Sequence, residues 1–246
     1  MKSGVPQDSV LGPICYLIYT SELATILDSL GVQFHFYADD IQLYLVFDNI
    51  SLCEDRLTHV LNVIDSWMSE HFLMLNGEKT VAILIGSTRI RNAKFSGLKS
   101  ITVNSTEIDL VSKTKNLGVI FDEALSMEEQ IKSVIKSCTF FLYEIRCIKK
   151  YTDRNTVKML VYNLVNTRID FCNSVYAGLP DYLLRKLQVT LNKGARLIYG
   201  VSYLDRITPY LIKLHWLPVK ARVKFKICCL AYTALRYVQP AYLRNL

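Results

Sequence analysis

The chain has 246 residues, of which 51% are hydrophobic, and its formal net charge is +7 at pH 7. This length allows one large or two small domains with a substantial core, and the apolar content excludes wholesale disorder. No uninterrupted apolar run reaches the roughly 18 residues of a membrane span, and the N-terminus lacks the apolar stretch of a signal peptide. We therefore expect an intracellular protein of the nucleus or cytoplasm, neither secreted nor bound to a membrane.

The charge is unevenly distributed along the chain. Residues 1–112 contain 7 Lys and Arg against 13 Asp and Glu, a net charge of −6. Residues 113–246 contain 22 against 9, a net charge of +13. A basic half favours a polyanionic partner such as nucleic acid, although a merely solvated basic surface would give the same count.

The seven cysteines show no zinc-ligand spacing. We expect them to be mostly buried thiols of an intracellular protein. Cys228 and Cys229 fall within a helical apolar pattern, which predicts that both belong to the core.

The first predicted element is a helix that begins near Pro13 and ends near Leu30. Its apolar residues recur at helical spacing, and Asp8 or Ser9 is placed to cap its N-terminus. The apolar residues with this spacing are Val10, Leu11, Ile14, Leu17, Ile18, Ile26, Leu27 and Leu30.

The next predicted element is a β-hairpin over residues 34–44, with Asp39 and Asp40 at or near its tip. Adjacent carboxylates repel, so a proton, a basic partner or a divalent cation must offset them. Hard cations such as Mg2+ prefer oxygen ligands of this kind. The alternative is an ordinary hairpin whose turn contains Asp because Asp tolerates turn geometry.

Further α and β elements are predicted up to residue 122. The sequence predicts a helix that begins with a capping box at Ser51–Glu54 and ends at about Glu70. The remaining predictions are a buried strand over 81–85, a loop over 87–100, a hairpin of 101–103 with 108–110, and a strand over 116–121.

From Ser126 onward the pattern is helical. A second capping box at Ser126–Glu129 begins a helix that reaches about Lys150. Further helices are predicted over 153–176, over 181–199 with Gly200 at the C-terminus, and from about Pro218. The predicted fold class is therefore α+β, with a mixed part followed by an all-helical part.

Two motifs carry a resemblance to a known family. Residues 4–13 have the sequence Gly-Val-Pro-Gln-Asp-Ser-Val-Leu-Gly-Pro, and residues 37–40 have the sequence Tyr-Ala-Asp-Asp. Together they resemble the reverse transcriptases of non-LTR (LINE-type) retrotransposons, and two segments of the basic half, residues 169–180 and 214–219, resemble later parts of the same proteins. The resemblance implies a partial polymerase palm over 1–122, a short antiparallel sheet with helices. A helical thumb and a following helical region would occupy 123–246.

The resemblance also implies an activity and its partners. The reaction is RNA-templated DNA synthesis from dNTPs with Mg2+, so the implied partners are an RNA template and a DNA primer. Asp39 would be the firmer metal ligand and Asp40 the supporting one. Tyr37 would lie near the incoming nucleotide and the primer end.

The other implied site residues lie outside the hairpin. Pro6 and Gln7 would line the nucleotide pocket and contact the template, Lys79 would lie near the triphosphate, and Gly118 would belong to the turn that grips the primer. Each has a simpler interpretation. Lys79 could be a solvated turn residue, Gln7 could brace a loop, and Gly118 could be a strand glycine.

The chain departs from the family pattern in two ways. The family has a further catalytic aspartate and the fingers region before the loop at Gly4, and some members have an endonuclease; we expect these to be missing here. Asp8 stands where the family usually has glycine, which allows close backbone approach to substrate. We therefore expect no polymerase activity from the chain alone. The alternatives are a non-catalytic remnant that binds nucleic acid through its basic half and a product without any role.

Overall fold

The computed structural model describes residues 9–95, 97–103 and 106–237, together with Pro240 and Leu243. The chain divides into two compact units: unit 1 comprises residues 1–84 and 89–111, and unit 2 comprises 85–88 and 112–246. Helices and two-stranded antiparallel sheets make up both units, so the predicted α+β class is confirmed. Pro6, Gln7 and Asp8 lie outside the described residues.

Unit 1 contains two long helices, two hairpins and one short helix. In chain order they are α1 (Gly12–Ser29), β1 (Gln33–Tyr37), β2 (Asp40–Tyr44), α2 (Ile50–Glu70), α3 (Thr88–Lys94), β3 (Ser100–Val103) and β4 (Thr106–Asp109). Strands β1 and β2 pair antiparallel, as do β3 and β4. Both predicted hairpins are therefore confirmed.

The core of unit 1 lies between α1, α2 and the first hairpin. Its fully buried residues include Leu23 and Leu27 of α1 and Val60 and Ile64 of α2. Trp67 closes one edge, where its indole N–H donates a hydrogen bond to a Glu22 carboxylate oxygen at 3.1 Å. The Tyr19 hydroxyl also donates a hydrogen bond to the His71 carbonyl at the end of α2, so the two helices are held together by apolar packing and several polar contacts.

The predicted apolar stripe of α1 is only partly buried. In this helix only Thr20, Leu23 and Leu27 are buried, and the apolar side chains of its first half are exposed. The helix begins at Gly12, directly after Leu11, which offers no side-chain cap. The Ser9 hydroxyl has no hydrogen-bond partner within the described chain, so the predicted cap at Ser9 does not form, and the alternative at Asp8 lies outside the described residues. Helical spacing alone identified the helix but not which half would find packing partners.

Three other predictions in unit 1 are wrong. Segment 81–85 is not a strand, because only Ala82 forms a bridge, to Leu110. Segment 87–100 is not simply a loop, since it contains α3. Asn49, rather than Ser51, caps α2: its side-chain oxygen accepts a hydrogen bond from the Ser51 N–H at 2.9 Å, and Asn is as good a cap as Ser.

Unit 2 consists of one hairpin and a set of helices. They are β5 (Lys113–Asn116), β6 (Val119–Asp122), α4 (Glu128–Ile148), α5 (Arg154–Val161), a π-helical segment (Tyr162–Asn166), α6 (Thr167–Asp170), α7 (Asp181–Tyr199), α8 (Thr208–Lys213) and α9 (Val219–Tyr237). The bounds of α7 match the prediction, and Gly200 closes it in the left-handed conformation at φ 69°.

Two predictions in unit 2 need correction. The single strand predicted over 116–121 is two strands, β5 and β6, joined by a turn at Leu117 and Gly118. The helix predicted over 153–176 ends at Asp170, because the backbone bends at Phe171 and Cys172 adopts a left-handed conformation at φ 49°.

The helices of unit 2 enclose an apolar core. Ile131 of α4, Val161 of α5, and Leu187 and Leu191 of α7 are all fully buried there. The prediction about cysteines is wrong for most of them. Among the described cysteines, two are buried and five are exposed, including Cys228 and Cys229. None of the described helices is both long and apolar enough to cross a bilayer.

The connection from β6 to α4 depends on Asp122. Its carboxylate accepts hydrogen bonds from the backbone N–H groups of Ala124, Ser126 and Met127 and from the Ser126 hydroxyl, at 2.9–3.1 Å. Burial raises the pKa of Asp122, but these hydrogen bonds outweigh it and leave the pKa below its ordinary value. The capping box predicted at Ser126–Glu129 does not form in full. The Ser126 hydroxyl oxygen accepts a hydrogen bond from the Glu128 N–H at 3.3 Å, but the Glu129 carboxylate pairs with Lys113 and Lys132.

Substituting Asp122 by Asn should destabilise unit 2 and make its free energy of unfolding depend less on pH in the acidic range. A group whose folded-state pKa is lowered stabilises the protein above its unfolded-state pKa, and that stabilisation is lost as the pH falls through the folded-state value. We expect Asp122→Asn to lower the free energy of unfolding by about 2 kcal/mol near neutral pH and to lose less stability than wild type on acidification. Urea unfolding, followed by Trp216 fluorescence in a Trp67→Phe background, measures both.

Glu144→Gln is the matched control, because Glu144 is an exposed carboxylate of α4 with no hydrogen bond or ion pair in the described chain. An equal loss of unfolding free energy on acidification in wild type and Asp122→Asn would contradict the role of Asp122.

Candidate metal and nucleic-acid site

The first hairpin places the two aspartates at its tip. Tyr37 pairs with Asp40 across the strands, so Ala38 and Asp39 form a two-residue loop. Phe34 and Phe36 pack against the core of unit 1, with their ring centroids 4.9 Å apart. Side chains alternate along a strand, so the packing of these two rings turns Tyr37 to the outer face, where it is 59% exposed.

Asp40 shares that outer face with Tyr37, because residues paired across an antiparallel ladder lie on the same side. Asp39, in the loop, lies within electrostatic reach of the Tyr16 hydroxyl of α1. Burial first, and the Asp39 carboxylate second, raise the pKa of Tyr16, which keeps its phenol neutral. Both aspartates are exposed, and neither forms an ion pair or a hydrogen bond in the described chain.

The turn itself is strained at Ala38, whose φ is 52°. An alanine in the left-handed region costs roughly 1–2 kcal/mol relative to an ordinary conformation. Such strain persists only where the surrounding structure fixes it, and here the packed strands do so. The hairpin therefore holds two adjacent, unpaired carboxylates at a fixed and exposed position.

The donor set suits a hard cation only in part. Carboxylate oxygens are ligands that Mg2+ prefers, and Mg2+ usually retains water and binds through one or two carboxylates plus substrate phosphates. Within the residues that the structure describes, no group of three or more His, Cys, Asp or Glu side chains could hold a metal ion. Asp39 and Asp40 can thus supply two ligands but no closed site.

Lys79 lies in the same unit, at the end of a short 3-10 turn over Gly77–Lys79. Asn76 fixes this turn, since its side-chain oxygen accepts a hydrogen bond from the Lys79 backbone N–H at 3.3 Å. The side chain of Lys79 is exposed. No hydrogen bond or ion pair in the described chain joins it to Asp39 or Asp40.

Gly118 belongs to unit 2, where it forms the turn between β5 and β6. Leu117 and Gly118 both have positive φ, at 44° and 86°, as the two central residues of a type I′ hairpin turn do. A Cβ added to Gly118 would lie 3.2 Å from an edge carbon of the Phe171 ring. Both the backbone conformation and the close approach of Phe171 therefore require glycine here.

Phe171 reaches this turn because the chain bends directly after α6. The preceding residue, Asp170, accepts a hydrogen bond from the Arg222 guanidinium of α9 at 2.7 Å and another from the Asn173 side-chain amide at 3.4 Å. The Arg222 side chain is only 11% exposed. This ion pair, whose Asp170 carboxylate is 40% exposed, thus fixes the bend that carries Phe171.

Unit 2 also has cations that no described group neutralises. Some of its basic residues are paired, as Lys220 is with Asp181 at 3.0 Å. Others are exposed and form no ion pair or hydrogen bond with any described residue. They include Lys115, Lys136, Arg146, Lys158, Lys193, Lys224, Lys226 and Arg236.

The sequence-predicted site residues are therefore only partly brought together. Tyr37, Asp39 and Asp40 meet at one hairpin tip, and Lys79 lies in the same unit without contacting them. Gly118 belongs to unit 2, and the two loop residues Pro6 and Gln7 are outside the described chain. Sequence analysis missed Tyr16 and Phe171, because the contacts that involve them join residues far apart in the chain.

Comparisons with known proteins agree with the motifs. Residues 1–121 match the family model described as reverse transcriptase (RNA-dependent DNA polymerase). Over 223 residues, 85% of this chain, it is 27% identical to a probable RNA-directed DNA polymerase from transposon BS of Drosophila melanogaster. It is 25% identical over 214 residues, 84% of this chain, to an RNA-directed DNA polymerase from mobile element jockey of Drosophila funebris.

The chain spans only about a quarter of these curated relatives, since the matched region is 23% of each of them. No solved structure gives a significant match.

Substituting Gly118 by Ala should cost more stability than the same change at Gly178. Both glycines have positive φ, but nothing lies within 4 Å of a Cβ at Gly178. We expect Gly118→Ala to lower the free energy of unfolding of unit 2 by about 1 kcal/mol more than Gly178→Ala, because the methyl group overpacks the Phe171 ring. Removing that ring with Phe171→Ala should abolish the difference. Urea unfolding measures each glycine substitution by itself and combined with Phe171→Ala. Equal losses of stability from Gly118→Ala and Gly178→Ala would argue against a tight Phe171 contact.

Proposed function

We propose the function of this chain from its family membership: it belongs to the reverse transcriptases of non-LTR retrotransposons. The proposed reaction is the transfer of nucleotides from dNTPs to a DNA primer on an RNA template. The observation that carries the proposal is the hairpin tip, where Asp39 and Asp40 are held adjacent, exposed and unpaired beside Tyr37.

In this proposal Asp39 and Asp40 are the residues that would hold a divalent cation. When bound, two such cations stabilise the attacking and leaving oxygens of nucleotidyl transfer. By resemblance to the family, Asp39 is the firmer ligand. Asp40 is the supporting ligand on the outer face of the hairpin. The family has a further catalytic aspartate, and no third acidic ligand lies beside Asp39 and Asp40 among the described residues, so we propose that this chain alone does not polymerise DNA.

The remaining site residues have binding roles in the same proposal. Tyr37, on the outer face with Asp40, packs beside the incoming nucleotide and the primer end. Pro6 and Gln7 line the nucleotide pocket and contact the template, and Lys79 neutralises charge on the triphosphate. Gly118 lies at a turn that contacts the primer strand. The proposed domains are a palm over 1–122 and a helical thumb with a following region over 123–246.

A second candidate function is nucleic-acid binding without catalysis. The unpaired, exposed cations of unit 2 favour it, because Lys and Arg that contact phosphates supply most of the affinity of sequence-independent binding. This function needs neither a complete metal site nor the residues outside the described chain. It would act at intracellular nucleic acid, in the nucleus or the cytoplasm.

The metal-ligand proposal predicts weak divalent-cation binding at the hairpin tip. Mn2+, a paramagnetic substitute for Mg2+, should broaden the backbone amide NMR signals of Asp39, Asp40 and their neighbours at lower concentrations than those of other exposed carboxylates. The broadening should disappear in Asp39→Asn, because a neutral amide is a poorer ligand for a hard cation. Asp65→Asn, on the exposed side of α2, is the matched control and should leave the broadening unchanged. Uniform broadening over all exposed carboxylates would refute a site at the hairpin.

The nucleic-acid proposal predicts salt-dependent binding to an RNA–DNA duplex. Replacing Lys136 and Lys193 by Gln should lower the slope of log affinity against log salt by about 2, because each lost phosphate contact removes about 1. Lys94→Gln with Lys99→Gln removes the same charge from unit 1 and should change the slope much less. Fluorescence anisotropy at several salt concentrations provides both slopes. Binding that does not weaken with salt would rule out phosphate contacts.

A further inference from the structure

Helix α9 exposes aromatic and basic side chains together over most of its length. From Lys224 to Tyr237 only Ala234 is buried. Phe225 and Tyr232 are 63% and 61% exposed, and neighbouring exposed apolar side chains, unlike ones scattered singly, indicate a binding surface. This part of α9 therefore has a surface that the described residues of unit 2 leave uncovered.

The charge of this surface has one sign. No Asp or Glu follows Asp205, and residues 206–246 contain eight Lys and Arg. On α9 itself Lys224, Lys226 and Arg236 are exposed and have no ion pair or hydrogen bond within the described chain. Any partner of this surface must bring the negative charge.

The two rings lie on one face of the helix, and the cations lie around it. Phe225 and Tyr232 are seven residues apart, so they lie about 10 Å apart along the helix axis and nearly in line. Lys224 and Lys226 flank Phe225 on either side, and Arg236 follows Tyr232 by one turn. Between the two rings lie the small side chains of Cys228 and Cys229. The edge of the Tyr237 ring contacts Tyr232, with the centroids 6.3 Å apart.

We propose that these five residues, Lys224, Phe225, Lys226, Tyr232 and Arg236, form a binding surface for single-stranded nucleic acid, the α9 stacking surface. Unpaired bases stack on the two rings, and the phosphates that join them lie against the cations. Every base has a π-face, so this mode of binding tolerates any sequence. A duplex covers the faces of its bases, so it gains only the phosphate contacts. This inference rests on the proposed function in unit 2 and names the form of nucleic acid that α9 binds.

Other occupants fit the surface less well. A helix that lies on a membrane segregates its cations to one face and its apolar residues to the other, whereas Lys224, Lys226 and Arg236 lie at different positions around α9. A second copy of α9 would bring three more cations and no carboxylate. A protein partner would have to supply a carboxylate for each cation that it buried.

The test compares single-stranded and duplex RNA as ligands of the full chain under reducing conditions. Fluorescence anisotropy would measure the binding of a labelled, unstructured RNA of about 12 nucleotides, by itself and annealed to its complement. The variants are Phe225→Ala with Tyr232→Ala, and Phe225→Tyr with Tyr232→Phe, which keeps both rings. Tyr143→Ala is the control, because Tyr143 is an equally exposed aromatic of α4 that has the carboxylate Glu144 next to it and only one cation, Arg146, within a helical turn.

We expect the double alanine variant to bind single-stranded RNA at least about 10-fold more weakly and the duplex within about two-fold of wild type. The ring-retaining variant and Tyr143→Ala should bind both ligands as wild type does. If the alanine variant binds single strands normally while salt-dependent duplex binding persists, the α9 stacking surface is refuted and the proposed function stands. If the wild type binds neither single-stranded nor duplex RNA, both the α9 stacking surface and the proposed nucleic-acid binding are refuted.

Two further outcomes assign the surface to another partner and so overturn the inference. One is ring-dependent flotation with vesicles of phosphatidylcholine and phosphatidylserine, without ring-dependent RNA binding. The other is dimerisation in light scattering that the alanine substitutions abolish. Circular dichroism of the alanine variant must match wild type. A loss of binding that the ring-retaining variant shares would count against stacking as well.

Discussion

The packing of one two-stranded hairpin onto two helices determines where the paired aspartates of unit 1 lie. An isolated hairpin of this size is marginally stable in water. Here Phe34, Phe36, Ile41 and Leu43 bury one face of it against the core that α1 and α2 share. That burial fixes the register, since a slip of one residue would turn the apolar set to solvent. The position of Asp39 and Asp40, and the strain at Ala38 between the strands, both follow from it.

In unit 2 a comparable role falls to polar contacts at the ends of elements. Asp122 uses its carboxylate to form the turn that leads from β6 into α4. Asp170 bonds to Arg222 and so fixes the bend at Phe171. The turn at Gly118 is therefore held from two sides, by its own strands and by an aromatic ring from a distant segment. Apolar burial supplies most of the stability of such a unit, but these few hydrogen bonds decide where its loops lie.

Sequence analysis succeeded where the determining interactions are local. The hairpin of 34–44, the helix over 181–199 and its end at Gly200 follow from alternation, periodicity and a glycine in the left-handed conformation. It failed where distant packing decides. Segment 81–85 has the composition of a strand but lacks a partner beyond Ala82, and α1 has an apolar stripe of which the first half stays exposed. Phe171 could not be linked to Gly118 from sequence, because 53 residues separate them in the chain.

The ion pair between Asp170 and Arg222 also constrains how this sequence can change over evolutionary time. Loss of Asp170 alone would leave the Arg222 guanidinium, which is only 11% exposed, without its carboxylate, and loss of Arg222 alone would leave Asp170 without its cation. Such a one-sided loss is destabilising, whereas replacing both residues by well-packed apolar ones is often neutral. Each single step is therefore selected against while the double replacement is tolerated. Across descendants of this sequence, the two positions should be inherited together or exchanged together, and the bend that they hold should persist longest where α9 is retained.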